Sequence, residues 1–311
     1  MEHFLEPPRR SSVTIEDFLQ QIASGQPIIV TDAMKGWSGE STWSPHAFRK
    51  KFGTNHVQIY NDAFDLRDIR TLSHYLDTHF NGSPSPSGEP TPYVRWYTKL
   101  KDVDFVWADS IFEALQDQWT RPYFMPEDGY LLPLVLPPHK TSPVLDLYPA
   151  KGLFISGAGA RTRLHRDPWQ TDAVLFQIYG EKDWVMYDPS QEPLLQDAKG
   201  QCVDPEKPDL ARFPRFGDAV PNFKFTLKPG EAVLVPQGWY HQVNTTTDSI
   251  SLTWNFAHRT TQSKFFAYLD SQEASGEDLE VLRFFYSKWL PKDAGCGQIS
   301  KFLKDQLQAA S

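Results

Sequence analysis

The chain has 311 residues, 40% hydrophobic and 23% charged, so it can bury a core and is not a disordered polymer. Two cysteines exclude a disulfide scaffold and any cysteine-based zinc module, and a net charge of −8 disfavours a general nucleic-acid surface. No run approaches the roughly 18 apolar residues of a membrane helix, and the start MEHFLEPPRRSS has no apolar signal core, so a cytoplasmic or nuclear, non-secreted protein with free thiols is expected.

The N-terminal third reads as mixed α/β. Thr14 is placed to cap a helix over 15–24, because Ile15, Phe18, Leu19 and Ile22 share one face, and Gly25 ends it. Residues 27–30 read as a short buried strand, Ser44-Pro45 opens a helix over 45–52, and 57–60 reads as a strand. A helix over 71–80 precedes the polar loop NGSPSPSGEPTP at 81–92, read as an inert surface loop in preference to a substrate cover. From 151 onward strands dominate: LFISG, AVLFQIY, DWVMY, FKFTL, AVLVP, HQV and SISLTWNF, with turns at Lys228-Pro229-Gly230 and Pro236-Gln237-Gly238. Strands at this density, with 25 prolines breaking the chain into short elements, predict a barrel or sandwich.

After 260 the period becomes helical. One stripe runs through Phe265, Phe266 and Leu269, a second through Leu279, Leu282, Phe285, Tyr286 and Trp289, and a third through Ile299, Phe302, Leu303 and Leu307. Helices this apolar bury themselves on the barrel or on a partner chain. The chain thus divides into an N-terminal α/β segment (1–150), a β core (151–259) and a C-terminal helical extension (260–311).

Two histidines and one aspartate carry chemistry. His165 and Asp167, at i and i+2 of an extended segment, point to one face. His241 starts a later strand. Two imidazoles and a carboxylate form the ligand set that leaves three positions open on a non-haem Fe(II). Lys182 follows a Gly-Glu turn at a strand start; a lysine facing a barrel interior is costly unless it meets an anion. The strand 249–256 sets Ser249, Ser251, Thr253 and Asn255 against Ile250, Leu252, Trp254 and Phe256, so its polar face is expected to line a wet cavity. Trp169, Trp184, Trp239 and Trp254 are expected to fill core more often than to bind substrate. Arg161, Arg163 and Arg166 read equally as contacts to an acidic substrate and as solvated surface. His46, His74, His79, His139 and His258 show no ligand spacing.

The stretch TRLHRDPWQTDAVLFQIYGEKDWVMYDP, followed by LKPGEAVLVPQGWYHQVNTTTDSISLTWNF, resembles the JmjC-domain oxygenases of the cupin superfamily. The resemblance is strong over 150–257 and extends weakly to the N-terminal helices. It implies a mainly β fold with flanking helices, built on a double-stranded β-helix core. It also implies Fe(II), 2-oxoglutarate and O2 as cofactor and cosubstrates, and hydroxylation with succinate and CO2 as co-products. Carried over by position, His165, Asp167 and His241 match the metal ligands. Lys182 matches the lysine that pairs with the distal carboxylate of 2-oxoglutarate, and Thr162 a hydroxyl that shares that contact. Thr253 and Asn255 match polar residues near the cosubstrate. The expected asparagine after the HxD motif is absent, since Ala173 and Leu175 stand there, and Tyr148 is a candidate for the family's tyrosine contact. The spacing from His165 to Lys182 equals that of the branch with an H-x-D-P motif associated with lysyl hydroxylation.

A protein side chain is the expected substrate. A small molecule, a modified tRNA base, an N-methyl group removed by demethylation, and a catalytically silent JmjC-like binding protein are the alternatives. The C-terminal helices resemble those through which several JmjC hydroxylases dimerise, so a homodimer is expected.

Overall fold

A computed structural model describes residues 5–37, 39–82, 88–97, 111, 113–118, 120–142, 151–271 and 277–310. The N-terminal strands are β1 (Arg9–Arg10), β2 (Ile28–Val30), β3 (His56–Tyr60), β4 (Leu66–Thr71), β5 (Tyr93–Tyr97) and β6 (Tyr130–Leu132). The core strands are β7 (Lys151–Ser156), β8 (Arg161–His165), β9 (Asp172–Tyr179), β10 (Lys182–Tyr187), β11 (Phe223–Leu227), β12 (Ala232–Val235), β13 (Tyr240–Thr245) and β14 (Ser249–His258).

They form two sheets. The larger has the order β1-β2-β12-β9-β14-β7-β5-β3-β4, with β6 pairing β14; the smaller is β11-β10-β13-β8. Their facing sides bury one shared cluster, in which Ala173, Leu175 and Val233 of the larger sheet meet Trp184, Phe225 and Val243 of the smaller. This is the expected double-stranded β-helix: period-2 alternation sends one set of side chains into the barrel and the other set outward. The outward set on the larger sheet, including Phe176, Leu252 and Trp254, packs with Phe18, Ile22 and Phe48 of the N-terminal helices. The outer face of the smaller sheet buries Leu164, Tyr187 and Tyr240 under Leu195, Val203 and Phe213 of the long β10–β11 connection.

Local signals in the N-terminal third set its elements. Thr14 caps the helix Ile15–Ser24 in a reciprocal capping box with Asp17, and Gly25 closes it in the left-handed conformation. Ser44 caps Pro45–Phe52 and Thr71 caps Leu72–His79. Strands β4 and β5 escape periodicity: β4 is an edge strand whose LRDIRT tolerates charge because one rim meets solvent. Through β5–β7 and β2–β12 pairing, the N-terminal strands continue the larger sheet. Residues 83–87 of the polar loop lie outside the described residues. Its end is docked: Thr91 is buried and donates to Ala158 O at 2.8 Å.

The helices Gln262–Asp270, Glu277–Tyr286 and Cys296–Ala309 bury their stripes within their own chain, against Leu131 and Leu132 of β6. Trp289 departs from the expected stripe. The second helix ends at Tyr286, and Trp289 is 45% exposed, stacked on Phe302.

Candidate metal centre

His165 ends β8 and His241 lies near the start of β13, and the two are directly paired across the ladder. Their ring centroids are 4.2 Å apart. Asp167 continues the extended path two residues beyond His165. One ligand atom from each of His165, Asp167 and His241 falls within 4.8 Å of the others, the one such grouping among the described residues. Each histidine also has a backbone partner for Nδ1: the Arg163 carbonyl at 2.8 Å and the Trp239 carbonyl at 3.3 Å. A carbonyl can only accept, so these bonds place hydrogen on Nδ1 and leave the Nε2 lone pair for a metal. Desolvation first, then the facing His241, holds the His165 imidazole well below its usual pKa, in the neutral form that ligation requires. Trp184 stacks on His241 with centroids 5.6 Å apart, and the Phe64 ring meets His165 edge-on at 5.2 Å.

Thr162 joins the same face by an irregularity. Residues three apart on a regular strand face opposite ways. Here Val243 pairs with Thr162 and His241 with His165, so β8 spends three steps where β13 spends two. The extra residue is a bulge, and it turns both Thr162 and His165 into the barrel.

Lys182 opens β10 opposite Thr245, four residues along β13 from His241 and thus about 13 Å deeper by strand rise. The turn before it needs glycine: Gly180 has φ +70°, and a Cβ there would lie 2.0 Å from the Asp248 carbonyl oxygen. Lys182 is 4% exposed. Its Nζ donates to Ser251 Oγ at 2.9 Å and sits over the Phe154 ring at 5.6 Å. Desolvation pulls its pKa down to about 7. Sequence reasoning did not single out Ser251 for this contact, although the alternation of β14 placed it on the right face. Tyr93, stacked against Phe154 at 6.2 Å, is a second residue at this end that it missed; Tyr148 lies outside the described residues.

The polar face of β14 is inside the barrel and enclosed there. Ser249, Ser251, Thr253 and Asn255 are all buried. Ser249 accepts from Gln177 at 2.9 Å, and Asn255 Nδ2 donates to Thr171 Oγ1 at 3.3 Å. Thr253 pairs with Leu175 and Gly152, and Asn255 with Ala173. Ala173 and Leu175 belong to the apolar barrel interior. Of the tryptophans, Trp184, Trp239 and Trp254 fill core, while Trp169 packs on the C-terminal helices.

All three arginines pair with the chain's own acids, Arg161 from a buried position and Arg163 and Arg166 at the surface. Arg161 is 7% exposed and meets Asp62 at 2.6 Å, Glu206 at 2.8 Å and Asp204 at 3.0 Å. Arg163 pairs with Asp62 at 2.7 Å and Arg166 with Glu192 at 3.0 Å. His258 is likewise structural: it is buried and hydrogen-bonded to Thr260 and the Asp128 carbonyl.

The donor set therefore fits a divalent transition metal with open positions, and the enclosed ammonium fits an anionic group deeper in the barrel. No helix among the described residues is long and apolar enough to cross a membrane.

Comparison with known proteins agrees with this geometry. Over 284 residues the chain is 24% identical to "2-oxoglutarate and iron-dependent oxygenase JMJD4" of Gallus gallus, covering 85% of this chain and 63% of that protein. It is 27% identical over 245 residues to the Homo sapiens protein of the same name, covering 76% and 57%. It is 23% identical over 256 residues to "Arginine-specific demethylase JMJ20" of Arabidopsis thaliana, covering 77% and 54%. The chain thus spans between about half and two thirds of the length of these relatives. The family model described as a cupin-like domain matches residues 16–262, most of the chain and the whole of both sheets apart from the short β1, and the protein belongs to that family.

Proposed function

We propose that this chain is an Fe(II)- and 2-oxoglutarate-dependent oxygenase that hydroxylates an unactivated C–H bond of a protein side chain. The observation that carries this reading is the placement of Lys182, an enclosed cation, on the same barrel face as His165, Asp167 and His241 and deeper along it. The names of the JMJD4 relatives support it. His165, Asp167 and His241 would hold the iron. The separation along β13 calls for a long cation and an elongated diacid to bridge it, which suits lysine and 2-oxoglutarate. Bound iron with its cosubstrates supplies the oxidising step; the protein's share is orientation, charge and shielding. Lys182 would fix the distal carboxylate, with Ser251 and Thr162 beside it. Thr253 and Asn255 would line the same interior, and Trp184 would hold the His241 ring by stacking.

An anaerobic titration of the metal-free protein with Fe(II) and then 2-oxoglutarate tests the site. A visible charge-transfer band that needs both, is lost in His165→Ala and weakens in Lys182→Ala is the expected result. A folded protein showing no band overturns the reading and favours a silent binding protein. A substrate screen then reads succinate and a product heavier by one oxygen. Release of formaldehyde would identify a demethylase, the reading favoured by the name of the JMJ20 relative. We also propose that the chain forms a homodimer through the C-terminal helices, on the exposed aromatics Phe284 (42%) and Trp289 (45%). Light scattering that gives a monomer mass at high concentration would overturn that.

A further inference from the structure

We infer that the C-terminal helices form part of the metal centre, because through Trp169 they set where Asp167 sits. The inference rests on the metal reading proposed above. The two imidazoles are fixed by strand pairing: His165 and His241 are partners in the β8–β13 ladder. Asp167 has no such fixture. It lies past the end of β8 and runs directly into the 3-10 turn Pro168–Gln170. The position of its carboxylate therefore depends on what holds that turn.

The turn is held in an unfavourable shape. Trp169 has φ +58° and Gln170 φ +50°, both in the left-handed region without being glycine. Such residues persist only where their surroundings over-determine them, and they gather at functional sites. Two sets of contacts do so here. On the barrel side, the Thr171 hydroxyl donates to Pro168 O at 2.8 Å and accepts from Asn255 Nδ2 at 3.3 Å. Next to it, the Asp172 carboxylate accepts from Gln237 N at 3.0 Å, on the loop that leads to His241. On the other side the Trp169 indole packs into the cluster of the C-terminal helices, 6.0 Å and 70° from the Phe285 ring. The turn is thus clamped between the strand that carries the polar interior face and the helical extension. Trp169 is a positioning residue: it supplies no ligand atom to the grouping of His165, Asp167 and His241, and acts through Asp167.

A plain core-filling role would cost stability and leave metal affinity alone. The two roles separate in a titration of the metal-free, full-length protein with Co(II), followed by its visible absorption, beside thermal melts. Trp169→Ala and Phe285→Ala remove the two sides of one contact. Each is expected to weaken Co(II) binding by about tenfold or more, the scale of lost outer-shell support, and to alter the Co(II) spectrum. Trp169→Phe, which keeps an aromatic ring, is expected to recover most of the affinity. Should Trp169→Ala fail to fold, Phe285→Ala and Trp169→Phe decide the matter. Affinities within about threefold of the unmodified chain, with a lowered melting temperature, would overturn the inference while leaving the metal reading intact. An unmodified chain with no His165-dependent Co(II) binding would overturn both, so the two failures are distinguishable.

Discussion

The Lys182 ammonium donates to the Ser251 hydroxyl inside the barrel, and among the described residues no carboxylate pairs with it. Its folded pKa of about 7 lies below the ordinary lysine value of 10.5 because burial strips its hydration. Between these two values the unfolded chain holds more protons than the folded one. This lysine therefore opposes folding at neutral pH, and its cost fades as pH rises from about 7 toward 10. The limit is about 1.4 kcal/mol per pH unit. Thermal melts of the ligand-free protein across that range should rise more steeply than those of Lys182→Met, and Lys182→Met should be the more stable protein at pH 7. Parallel curves would mean that the ammonium is hydrated.

Binding of 2-oxoglutarate should carry a proton with it. The distal carboxylate favours the charged lysine, so at pH 8 the complex is expected to take up a proton that the free protein lacks. Calorimetric titrations in two buffers of different ionisation heat read this directly. Equal heats in both buffers at pH 8 would show that Lys182 is already charged before the ligand arrives.

Arg161 is the hinge of a partly buried charge group made of the chain's own acids. Arg161→Met leaves half-buried Asp204 without this cation and Asp62 with Arg163 alone, so the cost should fall below the ~3–5 kcal/mol of a wholly uncompensated buried charge. Desolvation acts against ionised Asp62, but Arg163 and Arg161 outweigh it and hold the carboxyl below its usual pKa. Its contribution is present above the unfolded carboxylate range and is lost as pH falls through the folded value. Urea melts should show the loss at pH 7 and a smaller difference in acid.

Asp172 has the opposite sign. Full burial pushes its carboxyl up to about 7, so the folded chain holds a proton that the unfolded chain releases near pH 4. Stability from this group is complete below about pH 4 and drains away as pH rises to 7. Asp172→Asn keeps an acceptor for Gln237 N and never ionises. It should match the unmodified protein in acid and exceed it in melting temperature at pH 8; a lower melting temperature at pH 8 would refute the assignment.

Much of this was legible beforehand because the physics is local. Thr14 and Gly25 bracket a helix by capping chemistry alone, and alternation in SISLTWNF separates the face packed on the N-terminal helices from the face that meets Lys182. His165 and Asp167 share a face because the chain is extended between them. What was illegible is non-local. Arg161 finds carboxylates at 62, 204 and 206, brought in by a hairpin and a long connection that periodicity does not describe. Strand β4 is too charged to announce itself, and Trp169 gives no sign of a left-handed backbone. Alternation puts the polar face of β14 inside, but it does not announce the partners there: Gln177 for Ser249, Lys182 for Ser251 and Thr171 for Asn255.

The bulge in β8 fits an odd spacing to a centre that needs an even one, in a way that side-chain chemistry would not reveal. Thr162 and His165 both look inward only because one surplus residue sits between them. Deleting Arg163 or Leu164 would leave the two residues two apart, the spacing at which a regular strand keeps both on one face, so the ladder could close without the bulge and the imidazole and the hydroxyl would both still face inward. A substitution scan of that stretch would miss the point; a single-codon deletion that keeps Co(II) binding would show that the bulge serves the odd spacing of this strand and not the ligands themselves.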